Sequence, residues 1–114
     1  MIDKKGLKMN DYQVQAMRVA SEKCRNIFNA ALGLTGEAGE FADLIKKINF
    51  QGHEENKEHL IKELGDVLWY IALGAEVIGT DLETVAQANI NKLWNRYPNG
   101  FEEKRSINRE KNDI

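Results

Sequence analysis

The 114-residue sequence predicts an all-α fold, an antiparallel bundle of about four helices. Three observations carry this expectation. Apolar residues recur at helical spacing in four segments, and no segment reads convincingly as a strand. The connections between segments are short, which makes consecutive helices antiparallel neighbours. The one proline, Pro98, falls where the last long segment stops. The length suits a single helical domain over residues 1–101, followed by a charged tail over 102–114.

The first helix is expected to begin near Asn10, with Gln13 in the capping-box position and Val14, Met17, Val19 and Ala20 as its apolar positions. The second covers about Asn26 to Ile48, with Ile27, Ala31, Leu34, Phe41, Leu44, Ile45 and Ile48 at helical spacing. Its Gly33, Gly36 and Gly39 each cost about 1 kcal/mol of helix propensity relative to Ala, which implies close approach by another group or a bend. A polar loop, Asn49 to Asn56, leads to a third helix over about Lys57 to Ile78 that stops at Gly79 as its C′ residue. Thr80-Asp-Leu-Glu83 then reads as a capping box for a fourth helix ending near Tyr97-Pro98. Beyond Asn99 the chain is polar and is expected to lie on the surface or fray.

The stretch Val67 to Ile78, VLWYIALGAEVI, is apolar on nearly all sides. It reads either as a central core helix or as a subunit interface, and the interface, hence a homo-oligomer (dimer or tetramer), is the favoured reading. The apolar run from Val67 to Gly79 is only 13 residues and contains Glu76, too short and too charged to span a bilayer. Met1-Ile-Asp-Lys-Lys offers no apolar signal core, so a cytoplasmic location is expected. Cys24, the single cysteine, has no partner for an internal disulfide and suits a small hydrophobe.

Net charge is −2, but it is unevenly spread: +3 over residues 1–34, −7 over 35–83 and +2 over 84–114. An acidic centre of this size repels a nucleic-acid backbone, so a nucleic-acid partner is not expected. Within it stand two motifs, Glu37-Ala-Gly-Glu40 and Glu63-Leu-Gly-Asp66, each with two carboxylates one turn apart on one side of a helix. At 1.5 Å per residue, Glu40 lies roughly 12 Å before the end of its helix and Glu63 roughly 9 Å after the start of the next. The two motifs therefore come level across the helix pair. Four facing carboxylates either share protons or hold a cation, and oxygen-only donors select Mg²⁺ or Mn²⁺, with Ca²⁺ as a further candidate, over zinc. Di-iron bundles require Glu-x-x-His on two helices, which neither His53 nor His59 supplies; both histidines are expected in solvent.

By the same rise argument, Lys92 and Arg96 on the fourth helix return to about the carboxylate level on one face. Acids holding a metal beside two cations suit a polyphosphate, although each cation alone also suits an ordinary surface ion pair. Gly33-Leu-Thr-Gly-Glu-Ala-Gly-Glu40, Lys62-Glu-Leu-Gly-Asp-Val-Leu-Trp-Tyr70 and Asn91-Lys-Leu-Trp-Asn-Arg-Tyr-Pro98 together closely resemble the MazG-like nucleotide pyrophosphohydrolases of the all-α NTP pyrophosphatase superfamily. The family pattern is ExxE, a spacer, then ExxD, and here the spacer is 22 residues. The resemblance covers about Tyr12 to Phe101.

The resemblance implies Mg²⁺-dependent cleavage of nucleoside triphosphates to monophosphate and pyrophosphate. It implies Glu37, Glu40, Glu63 and Asp66 as metal ligands and catalytic residues, one glutamate delivering the nucleophile directly or through a water. It also implies Lys92 and Arg96 at phosphate oxygens, and sites that often form across subunits. Some relatives carry a further acid just before the first motif glutamate; this chain has Gly36 there. Candidates to stack on a nucleobase are Phe28, Phe41, Trp69, Tyr70, Trp94 and Tyr97, of which Trp69 and Tyr97 are singled out. The tail cations Lys104, Arg105, Arg109 and Lys111 read as solubilising, with Arg109 as a remoter phosphate contact. The alternative to an enzyme is a helical oligomerisation or sensor module that binds a nucleotide or divalent ion without turnover.

Overall fold

The computed structural model describes residues 6–114 and is all-α, with four long helices and no β-strand among the described residues. The helices are α1 (Met9–Met17), α2 (Ile27–Phe50), α3 (Lys57–Val77) and α4 (Leu82–Arg96), followed by a short α5 (Glu103–Ile107). A single 3₁₀ turn, Glu22–Cys24, joins α1 to α2. The chain divides into two compact units, one reaching to Leu82 and the other Glu83–Ile114. None of the described helices is long and apolar enough to cross a membrane.

In the first unit α3 packs on both α1 and α2. Local chemistry sets the ends of these helices. Asn26 caps α2 by accepting from the Asn29 amide at 2.8 Å, and Asn56 caps α3 by accepting from the His59 amide at 3.2 Å. At its far end α3 closes in a Schellman motif: Gly79, at φ +81°, donates to Glu76 and Thr80 donates to Ala75. A side chain is disfavoured at that φ, so the glycine expected there is required there.

The core of this unit is small and rich in alanine. Ala16, Met17, Ala30, Ala72, Leu73, Ala75 and Leu82 are buried, with Tyr12, Trp69, Tyr70 and Val77 packed against them. Small side chains let helices approach closely: a Cβ built on Gly74 would lie 4.0 Å from that of Ala30. At Gly33 the approach is closer still, and a Cβ there would overlap the Tyr70 ring at Cε1, Cδ1 and Cζ. The close approach expected of this glycine is therefore real. Gly36 and Gly39 face open space.

The first helix departs from expectation. It starts at Met9 with Lys8 as N-cap and no side-chain capping bond, and it ends at Met17. Val14 and Val19 are exposed, while Gln13 is only 5 % exposed. Gln13 does not serve a capping box on its own helix. Its Nε2 donates to the Thr80 carbonyl at 3.1 Å and its Oε1 accepts from the Leu82 amide at 2.8 Å. A polar side chain is turned inward because two backbone groups at the α3–α4 turn satisfy both its ends. The Arg25 guanidinium similarly donates to the Met17 carbonyl at 2.7 Å and closes the C-terminus of α1.

In the second unit α4 runs out at Arg96, and the Tyr97 and Phe101 rings meet at a tilt of 55°, centroids 5.2 Å apart, around the Pro98 turn. The tail does not simply trail off. It forms α5 and then returns to Arg96 through Asp113.

Candidate functional site

The hairpin of α2 and α3 brings three of the four motif carboxylates together. One oxygen each from Glu37, Glu63 and Asp66 lies within 4.8 Å of the others. Glu37 comes from α2, and Glu63 and Asp66 come from successive turns of α3, so the cluster depends on the register of the two helices. Glu37 and Glu63 are half-buried, and Asp66 is exposed. Glu40, one turn beyond Glu37, is exposed and lies outside the triad.

Electrostatics mark this as a strained place for negative charge. Removal of water from the Glu37 carboxyl, then the charges of Asp66, Glu63 and Glu40, raise its pKa above the ordinary glutamate value. Glu40 is thus close enough to be felt at Glu37. Burial, then the charge of Asp66, raises the pKa of the Tyr12 phenol, which places this α1 side chain beside the cluster. Elsewhere on α2 the acid Asp43 is neutralised by Lys47 at 2.9 Å and Lys46 at 3.1 Å. Lys47 also feels Glu40.

Two neighbours of the cluster were not assigned to it from sequence. His59, exposed as expected, sits in the first turn of α3 with Nε2 at 3.2 Å from Glu63 Oε1. Its spacing of four from Glu63 is the signal that reveals such a pair. Tyr12 belongs to a separate helix and has no local signal.

The remaining expected residues are placed as follows. Trp69 donates from Nε1 to the Ala16 carbonyl at 3.0 Å and meets Tyr70 edge-on at 5.0 Å, so its ring serves the core. Tyr97, with Trp94, Pro98 and Gly100, lines an open cleft of about 570 Å³ in the second unit. Lys92 lines a cleft of about 210 Å³ with Asn95, Glu110 and Asp113 among its other walls. Arg96 is held by Asp113 through two hydrogen bonds, Nε to Oδ2 at 2.7 Å and Nη2 to Oδ1 at 2.8 Å. Arg109 donates to the Asp113 carbonyl at 2.9 Å.

Fold and site define a class: an all-α protein presenting an oxygen-only acidic centre on a helical hairpin. The MazG nucleotide pyrophosphohydrolase domain matches residues 26–101, from the cap of α2 to Phe101, and the chain belongs to that family. Over 73 residues it is 45% identical to the Gene 37 protein of Mycobacterium phage L5, covering 60% of this chain and 64% of that protein. It is also 34% identical over 73 residues to the uncharacterized protein YvdC of Bacillus subtilis (strain 168), covering 56% of this chain and 69% of that one. The chain therefore spans slightly less than two thirds of the phage relative's length. No solved structure matches it.

Proposed function

We propose that this protein is a divalent-cation-dependent pyrophosphohydrolase that cleaves nucleoside triphosphates, ribo or deoxy, to the monophosphate and pyrophosphate. The observation that carries the reading is the convergence of Glu37, Glu63 and Asp66 within 4.8 Å in a chain of the MazG family. Three oxygen donors from two helices fit a hard divalent ion, Mg²⁺ with Mn²⁺ as substitute. Such an ion, when bound, supplies neutralisation of the triphosphate and activation of the attacking water.

The chain's own residues divide the work. Glu37, Glu63 and Asp66 hold the ion, and Glu40 is assigned as fourth ligand from its place one turn from Glu37. His59 engages one oxygen of Glu63 and so orients that carboxylate. Lys92 and Arg96 take phosphate oxygens, and Tyr97 offers a face to the base. The domain over 1–101 carries the chemistry, and the tail over 102–114 is an accessory to it. Control of the nucleotide pool, in the cytoplasm, is the role this activity suits.

The same reading includes a homo-oligomer. Phe28 and Leu32, one turn apart on α2, are 76% and 74% exposed, and Ile61, Leu64, Ile71 and Ile78 follow one stripe of α3 into solvent. A second copy is the occupant this reading assigns to that apolar surface. A monomer by light scattering at micromolar concentration would count against it.

The deciding assay is pyrophosphate release from a panel of NTPs and dNTPs, with and without Mg²⁺, for wild type, Glu40→Gln and Asp66→Asn. Release that needs Mg²⁺ and falls by about 100-fold or more in both variants is expected. No release from any nucleotide sinks the enzyme reading. Nucleotide or ion binding without release would instead identify the sensor or oligomerisation module.

A further inference from the structure

The Arg96 guanidinium, assigned above to a phosphate, already has an anion. Asp113, 17 residues further on, meets it side-on with two hydrogen bonds of 2.7 and 2.8 Å. This fork-to-fork geometry is the one a guanidinium uses for carboxylate and for phosphate alike. The pair is not a loose surface contact: the Arg96 side chain is 13% exposed and that of Asp113 22%. Arg109 adds a second guanidinium, with Nε at 3.5 Å from Asp113 Oδ2. Around the pair, Asn95, Arg105, Asn108 and Glu110 wall a cleft of about 220 Å³. Asp113 lies beyond the residues matched by the family, so the contact belongs to this chain's own tail.

We propose that Asp113 is an intramolecular competitor for phosphate at Arg96, and that the C-terminal tail must leave the guanidinium before a polyphosphate can take it. The proposal rests on the phosphate role given to Arg96 in the preceding subsection. One carboxylate and one phosphate cannot occupy the same two donors, Nε and Nη2, at once. Binding of a polyphosphate and seating of the tail therefore oppose each other. Product pyrophosphate, carrying the same oxygens, competes with the tail as substrate does.

The test uses the full-length protein in EDTA, with inorganic pyrophosphate as the probe, so that no divalent ion recruits the acidic cluster. Two quantities are read: pyrophosphate affinity by calorimetry, and hydrogen-exchange protection of residues 109–114. That protection includes the Asp113 amide, which donates to the Glu110 carbonyl. In wild type, tail protection is expected to fall as pyrophosphate saturates. Asp113→Asn is expected to bind pyrophosphate about 5-fold more tightly, a partly exposed ion pair's worth, and the gain to vanish when Arg96→Met is added. Binding by Asp113→Asn with none measurable in wild type also supports the proposal. Equal affinities, no binding by either protein, or a tail that stays protected at saturation overturns it. The hydrogen-exchange arm needs no substitution, so an unstable variant does not leave the question open. A chain that hydrolyses no nucleotide but releases its tail to pyrophosphate keeps the competitor and loses the enzyme. One that hydrolyses while its tail stays seated does the reverse.

Discussion

Substituting Gly33 by Ala separates packing glycines from bare ones on α2. In isolation the change should help, because Ala in a helix interior is favoured over Gly by about 1 kcal/mol. Here the new methyl would clash with the Tyr70 ring at Cε1, Cδ1 and Cζ. The ring has little room to yield. It meets Trp69 edge-on at 5.0 Å, and Trp69 is tied to the Ala16 carbonyl. Forcing a methyl into such a place costs about 1–3 kcal/mol, and loss of the aromatic pair adds about 0.5–1.5 kcal/mol. After the propensity gain, a net loss of about 0.5–3.5 kcal/mol remains, a drop in melting temperature of roughly 2–15 °C for a chain of this size. Urea and thermal unfolding followed by circular dichroism measure it. Gly36→Ala and Gly39→Ala serve as controls, since nothing lies within 4 Å of a Cβ at either. Each should gain about 0.5–1 kcal/mol. If Gly33→Ala melts at or above the wild-type temperature, the packing argument for this glycine is wrong.

Further expectations concern the cap, the acidic cluster and the tail. Gln13→Ala leaves the Leu82 amide and Thr80 carbonyl without their partner and should lower stability by about 1–3 kcal/mol by urea titration; a loss under 0.5 kcal/mol would refute the bridging role. Millimolar Mg²⁺ should raise the melting temperature of wild type, since an ion would offset the mutual repulsion of the clustered carboxylates, and Asp66→Asn should lose most of that rise. An equal rise in both would place the ion elsewhere. Hydrogen bonds from Arg96, and then the charges of Arg96 and Arg109, hold the Asp113 carboxyl below the 3.8 of an ordinary aspartate. A depressed folded-state pKa contributes stability above the ordinary value, and loses it as pH falls through the lowered one. With Arg105 and Glu110 as the other ionisable side chains lining the cleft, tail protection should persist from pH 7 to about 4 and fall only below it. Loss of protection near pH 6 would contradict that sign.

Much of the fold was legible in the sequence because its signals are local. The starts of α2 and α3 fall within a residue of where they are expected, Gly79 stops α3 as expected, and the ExxE and ExxD motifs come level because helical rise alone sets their height. What failed to read out was non-local. Gln13 looked like a capping residue because its true partners lie 67 and 69 residues away. Val19 lies past Met17, where α1 stops, so helical spacing does not carry it into the core, and Val14 is on the exposed side of the helix. Of the four carboxylates, spacing alone could not say that three would touch and Glu40 would stand outside, since side-chain direction on α2 decides it. The tail read as surface charge because nothing in its sequence announces a return to Arg96.

Because α2 and α3 are consecutive, the whole triad lies within the 30 residues from Glu37 to Asp66. Closing a loop of this size is entropically cheap, and contacts this close in sequence form early in folding. An ion held across the hairpin is therefore a clamp on one self-contained folding unit rather than a bolt through the whole protein. The tail lies outside that unit, so a change there leaves the clustering of the three carboxylates untouched.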